Sequence, residues 1–146
     1  MASAFNKFQD FSEQVIRGVH DWDAHTFKVA LSNTAPTNTD VSLATGGAHP
    51  PPAAANGYTA GGATTTISIS ETAGTTTVQG TQVVFTATAG GIGPFRYVIV
   101  YNDTATSPAD ALIGWFDYNS SITLAESETL TIQFNGTTPG TIVTLV

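Results

Sequence analysis

The stretch HDWDAH places His20, Asp21, Asp23 and His25 within six residues. Imidazole and carboxylate groups are metal ligands, so this is the chain's best candidate for chemistry. The spacing argues against it. Histidines at i and i+5 do not share a helical face, and the stretch falls where a helical pattern gives way to an extended one. At such junctions Asp and His more often cap and turn the chain. Other candidates are weaker. His49 stands alone before Pro50, Pro51 and Pro52. Serines are plentiful, yet no G-x-S-x-G nucleophile elbow occurs. Glu126 and Glu128 lie two apart at a strand entry, whereas a glycosidase pair comes from separated positions across a cleft. The glycine pairs at 46–47, 61–62 and 90–91 are followed by no lysine, so none reads as a phosphate loop. No catalytic, cofactor-binding or metal-binding set emerges, and the expectation is a protein that is not an enzyme and carries no cofactor.

One charged residue does stand out. The chain holds four Lys and Arg in 146 residues, and Arg96 sits inside the strand-forming run FRYVIVY. Residues 94–102 and 111–118 are separated by DTATSPAD, short enough for an antiparallel hairpin. If Tyr101 sits opposite Leu112, constant-sum pairing sets Val98 against Trp115 and Arg96 against Asp117. Directly opposed side chains share a face. Arg96 and Asp117 then form a structural pair that pins the register, because a one-residue slip turns each apolar set to the wrong face; the alternative is that Arg96 points to solvent or reaches another subunit.

The elements that must position such residues are mostly strands. Phe5, Phe8, Phe11, Val15, Ile16 and Val19 recur at spacings of three and four, which predicts an amphipathic helix over about 4–19, with Gly18 helping to end it. Its three phenylalanines face either the chain's own sheet or a partner chain. HTFKVALSNTAP alternates Phe27, Val29 and Leu31 with Thr26, Lys28 and Ala30, predicting a half-buried strand over 26–33. Residues 34–63 are rich in Pro, Gly, Ala and Thr without periodicity. Pro50, Pro51 and Pro52 favour a polyproline II segment. A loop this long in a compact domain is functional or disordered, and the functional reading is an extended inter-subunit arm over 37–60. From residue 63 to 146 the pattern is short Thr-rich strands separated by turns. TTTISIS and TTTVQ read as a hairpin with Gly74 in its turn. The expected fold is mainly β: one domain over 1–146, a jelly-roll-like antiparallel β-sandwich with one N-terminal α-helix.

Composition narrows the partners. Charged residues are 10% of the chain and the net charge is −7. Four scattered basic residues cannot make a phosphate-binding footprint, which argues against nucleic acid and anionic membranes. There is no cysteine, so disulfide scaffolds and Cys-ligated metals are excluded. The N-terminus lacks the basic-then-apolar pattern of a signal peptide, and no apolar run approaches the roughly 20 residues of a membrane span. Synthesis in a cytoplasm is expected.

Three regions resemble a known group: GVHDW with TFKVALSNTAP (18–36), NGYTAGG (56–62), and IGPFRYVIVYNDTAT with LIGWFDYNSSITLAESETLTIQF (92–134). Together they look like the small virion structural proteins of tailed bacteriophages. AHPPPAAA, before NGYTAGG, departs from that pattern. The resemblance implies a capsid cement, or decoration, protein on the outer surface of the head. Its partner would be the major capsid protein, with a homo-oligomer, a trimer, as the working form. A tail, neck or fibre component and a carbohydrate-binding adhesion module are the alternatives. The resemblance transfers no functional residue. On this reading Phe5, Phe8, Phe11, Pro50, Pro51 and Pro52 are candidate inter-subunit contacts.

Overall fold

Val, Ile, Tyr and Phe crowd residues 92–124, and they form one long antiparallel hairpin. A computed structural model describes residues 3–43 and 54–146. In chain order the elements are β1 (Phe5–Lys7), α1 (Asp10–Ile16), β2 (Phe27–Ser32), β3 (Ala63–Thr65), β4 (Ile67–Thr72), β5 (Thr75–Gly80), β6 (Val83–Thr86), β7 (Ile92–Thr106), β8 (Ala109–Leu124), β9 (Thr129–Ile132) and β10 (Gly140–Leu145). The hairpin β7–β8 is the spine of a five-stranded antiparallel sheet ordered β1-β8-β7-β2-β3. A three-stranded sheet, β10-β5-β4, and a two-stranded sheet, β6-β9, complete the body. The protein is therefore mainly β with antiparallel sheets, consistent with a β-sandwich, and has one short helix among the described residues.

The pleat sorts the side chains between two cores. Phe27, Val29 and Leu31 of β2, with Val98 and Val100 of β7, face the main core. Val78, Val83, Phe85, Leu130, Ile132 and Ile142 close it from the other sheets. On the opposite face Ala30, Ile99, Tyr101, Leu112 and Trp115 form a second, smaller cluster. Strand β2 is thus buried on both faces except at Lys28, not half-buried as its alternation suggests. The reason is that segments outside the sheet cover the second face. Gln9 N–H donates to Asn38 O at 2.9 Å, Leu43 N–H to Asp110 O at 3.1 Å, and Leu112 N–H to Val41 O at 3.2 Å.

The predicted helix over 4–19 is corrected. Only Asp10–Ile16 is helical, and residues 5–7 pair with β8 as an edge strand, Phe5 opposite Phe116 and Lys7 opposite Gly114. A helix would put Phe5 and Phe8 on one side. As built, Phe5 turns to the main core, 5.0 Å from the Phe116 ring, while Phe8 turns to the second cluster, 4.5 Å from the Trp115 ring. Pairing also satisfies an edge of β8 that a helix would leave open. Gly18, at φ +74, does end the helix, its N–H reaching Val15 O.

The 37–60 arm is also corrected for its described parts. Residues 37–43 lie on α1 and β8 through the bonds above, and NGYTAGG is built into the body. The Tyr58 hydroxyl, buried, accepts from Leu31 N–H at 3.0 Å, and the Asn56 amide donates to Gly91 O at 3.0 Å. His49, Pro50, Pro51 and Pro52 lie outside the described residues.

Candidate functional site

The HDWDAH histidines do meet, around the side-chain amide of Asn102. Asn102, fully buried on β7, is the hub. Its Oδ1 accepts from Thr104 N–H at 3.1 Å and Ala105 N–H at 3.2 Å, which fixes the orientation of the amide. Its Nδ2 therefore faces His20 Nδ1 at 3.2 Å, His25 Nδ1 at 2.9 Å and Val19 O at 3.3 Å. The amide has two hydrogens to share among these three acceptors; with His20 Nδ1 as one of them, neutral His20 carries its proton on Nε2. That atom is buried with no hydrogen-bond partner among the described residues. Rings of Phe11, Trp22 and Phe27 surround His20, with Trp22 stacked on Phe27 at 4.6 Å. Burial, then the neighbouring His25, pushes the His20 pKa down to about 4, partly opposed by Asp10. Asp21 turns the chain, its Oδ1 accepting from Asp23 and Ala24 N–H. Among the described residues no three metal-ligating side chains converge. The node fastens the α1–β2 connection to β7, a role sequence reading missed because Asn102 lies 77 residues beyond His25.

Arg96 and Asp117 form a two-point ion pair, Nε–Oδ1 2.8 Å and Nη2–Oδ2 2.9 Å. The register around it differs from the constant-sum expectation. Tyr101 does face Leu112, but a bulge follows, so Val98 faces Phe116 and Tyr97 faces Asp117. The extra residue reverses the alternation along β8, which is how Leu112 and Trp115, three apart, both reach the second cluster. A further irregularity between Phe95 and Tyr97 brings Arg96 to Asp117. The guanidinium also lies 5.2 Å from the Tyr97 ring centroid. With the side chains 37% and 29% exposed, this is a surface-grade pair. Hydrogen bonding to Arg96 holds the Asp117 carboxyl below the usual carboxylate range. Asp117 Oδ1 also accepts from Asn119 N–H at 2.8 Å, so it supports a turn that Arg96 does not touch. Asp117→Leu is expected to cost more stability than Arg96→Met, with a small favourable coupling between them. Urea melts of a double-mutant cycle check this, and zero coupling would remove the pair from any role in register.

Several other polar and charged groups hold the fold together. Lys28 pairs with Asp103 at 2.8 Å, and the Tyr101 hydroxyl donates to Gly61 O at 2.8 Å. Glu128 accepts from Ala125 N–H at 2.7 Å and closes a turn.

An open groove of about 650 Å³ runs between β8 and strands β9 and β10. Its floor is apolar, from Phe5, Val98, Phe116, Leu130, Ile132 and Ile142, and its rim carries Tyr118, Gln133 and Asn135. Tyr118 is 44% exposed. Of the three N-terminal phenylalanines proposed as contacts, only Phe5 reaches this groove; Phe8 and Phe11 are buried in the chain's own cores.

The three-stranded sheet β10-β5-β4 presents an uncharged face. Register puts Ser68, Ser70 and Thr72 of β4, Thr75, Thr77 and Gln79 of β5, and Thr141 and Thr144 of β10 on its outer face. That face bears hydroxyls and one amide but no charge. Comparison with known proteins gives no match to any family model, to any curated protein or to any solved structure.

Proposed function

We propose that this chain is a structural protein of a bacteriophage virion, of the capsid cement type. It would bind across capsomer joints on the outer surface of the head, with the major capsid protein as partner. One observation carries the reading beyond the sequence resemblance: the outer face of β10-β5-β4 spans three strands, is hydroxyl-rich and bears no charge. Covering such a face desolvates few ions, so a broad contact forms at small electrostatic cost. A jelly-roll-like sandwich would supply the rigid body that such a contact needs. Binding only the assembled shell stabilises that shell by mass action. Many symmetric copies, as trimers on local three-folds, multiply a modest affinity per site.

A second reading is favoured by Tyr118 at the rim of the groove, an exposed aromatic of the kind a carbohydrate-binding module presents. The tryptophans do not support it, since Trp115 is buried against Phe8 and Trp22 stacks on Phe27. Electron microscopy of the native particle is the test. Density for this body over the joints of the head is expected. Density on the tail or neck favours the other structural placement. Absence from the virion, with binding to a glycan array, overturns the cement reading in favour of the second.

A further inference from the structure

Strand β4 is the end strand of its sheet, paired among the described residues only with β5. Ser68, Ile69, Ser70, Glu71 and Thr72 are all exposed. Long open edges are normally shortened, bulged or guarded by Lys or Pro, because unpaired N–H and C=O groups invite another strand. The other described end strands follow that rule, and the stretch of β8 beyond β1, residues 117–124, is interrupted by the irregular pairing between Phe95 and Tyr97 and by Asn119 at φ +65. Strand β1 has three residues and carries Lys7, β3 has three, β6 and β9 have four each, and β10 has a bulge between Thr141 and Val143. Strand β4, ISISET, has six residues in unbroken register with β5 and neither Lys nor Pro; its one charge, Glu71, is turned back onto the hairpin turn, accepting from Gly74 N–H at 2.7 Å.

Its hydrogen-bonding pattern decides what fits. Thr72 and Thr75 flank the two-residue turn Ala73–Gly74, at φ +52 and +83. In such a hairpin the flanking pair is hydrogen-bonded, and bonded pairs then alternate: Thr72, Ser70 and Ser68 bond inward to β5. The N–H and C=O groups of Ile67, Ile69 and Glu71 therefore point outward. We propose that this edge pairs with the same edge of a second copy, antiparallel about a two-fold axis at Ile69. That register sets Ile69 against Ile69 and Ile67 against Glu71 of the partner strand, engaging all six outward residues in six backbone hydrogen bonds. Shifting the axis by one residue leaves four. The two Glu71 side chains then sit about 13 Å apart along the ladder, beyond a Debye length of roughly 8 Å at physiological salt. The apolar row Val143, Val78, Ile69, aligned by the register of the three strands, continues across the axis into its own copy. The result is a six-stranded sheet. This contact is two-fold and independent of any three-fold arrangement on a particle.

Sedimentation equilibrium of the full chain between roughly 10 µM and 1 mM should show a monomer–dimer equilibrium. Ile69→Pro removes an outward N–H and leaves the inward bonds to β5 intact. It should weaken the dimer roughly 10- to 100-fold with an unchanged far-UV spectrum. Because the chain has no cysteine, Ile69→Cys reports alone. Bonded antiparallel pairs hold Cα atoms about 5.5 Å apart, within disulfide reach. Oxidation should give a covalent dimer from Ile69→Cys and not from Thr72→Cys. Monomer throughout, equal cross-linking of both cysteine variants, or a dimer or trimer indifferent to Ile69→Pro would each overturn the proposal. If Ile69→Pro fails to fold, the cysteine pair decides.

Discussion

Gly62→Ala is expected to cost roughly 2–5 kcal/mol, while Gly74→Ala costs about 1–2 kcal/mol. The two glycines share a positive φ, +82 and +83, so both substitutions carry a similar left-handed penalty for a residue with a Cβ. They differ in surroundings. A Cβ on Gly74 meets nothing within 4 Å, whereas one on Gly62 would lie 1.9 Å from the Val29 carbonyl oxygen and 2.8 Å from Ala30 Cα. Those are backbone atoms of a strand buried on both faces, so neither can swing aside. The second term is an overpacking cost of about 1–3 kcal/mol. It falls where β3 joins β2, Val29 opposite Ala63. Against a typical total of about 5–15 kcal/mol, Gly62→Ala leaves a marginal protein. Urea unfolding of the two variants measures the difference directly. Equal losses would mean that β2 and the NGYTAGG segment are not packed as described.

That segment shows where the sequence was readable and where it was not. Gly74 in the β4–β5 turn was legible because a turn and two period-2 runs are local facts. Gly18 at the end of α1 was legible for the same reason. NGYTAGG looked like part of a loose arm because nothing local says that Tyr58 reaches under Leu31, 27 residues earlier. The N-terminal helix was over-extended because spacings of three and four fit Phe5, Phe8 and Phe11, while the open edge of β8 that captures residues 5–7 lies more than 100 residues away. The β7–β8 register was right at Tyr101 and Leu112 and wrong from Val100 onward. Gly114, inside an otherwise apolar strand, was the available signal of a bulge. Arg96 found Asp117 through two irregularities that a constant-sum rule cannot contain. The histidines were visible as a cluster, but their meaning depended on Asn102, which no spacing rule connects to them.

That node carries the second large effect, a loss of stability as pH falls from about 6.5 to about 4. The sign follows from linkage. His20 has its pKa lowered to about 4 in the folded chain and titrates near 6.5 when unfolded. Between those values the unfolded chain binds a proton that the native chain refuses, so acidification favours unfolding. The stability is fully present above pH 6.5, declines by about 1.4 kcal/mol per pH unit inside the window, and totals roughly 3 kcal/mol. Burial is the main cause, and His25 adds to it. The amide geometry points the same way, since a doubly protonated His20 would turn an N–H toward the Asn102 amine it now accepts from. Other groups act at different places. The Asp117 carboxyl, held low by Arg96, adds a loss in the same direction only at more acidic pH. The Asp110 carboxyl is raised by burial and by Asp103, so its contribution is lost as pH rises and opposes the trend. His20→Phe keeps a ring among Phe11, Trp22 and Phe27 and removes the titration. Its unfolding free energy should lose the decline that the natural chain shows from pH 6.5 to 4, leaving only the opposing contribution of Asp110. Denaturant melts at half-unit pH steps read the slope. An unchanged slope in His20→Phe would place the acid sensitivity elsewhere and leave the His20–Asn102–His25 node as a purely mechanical clasp.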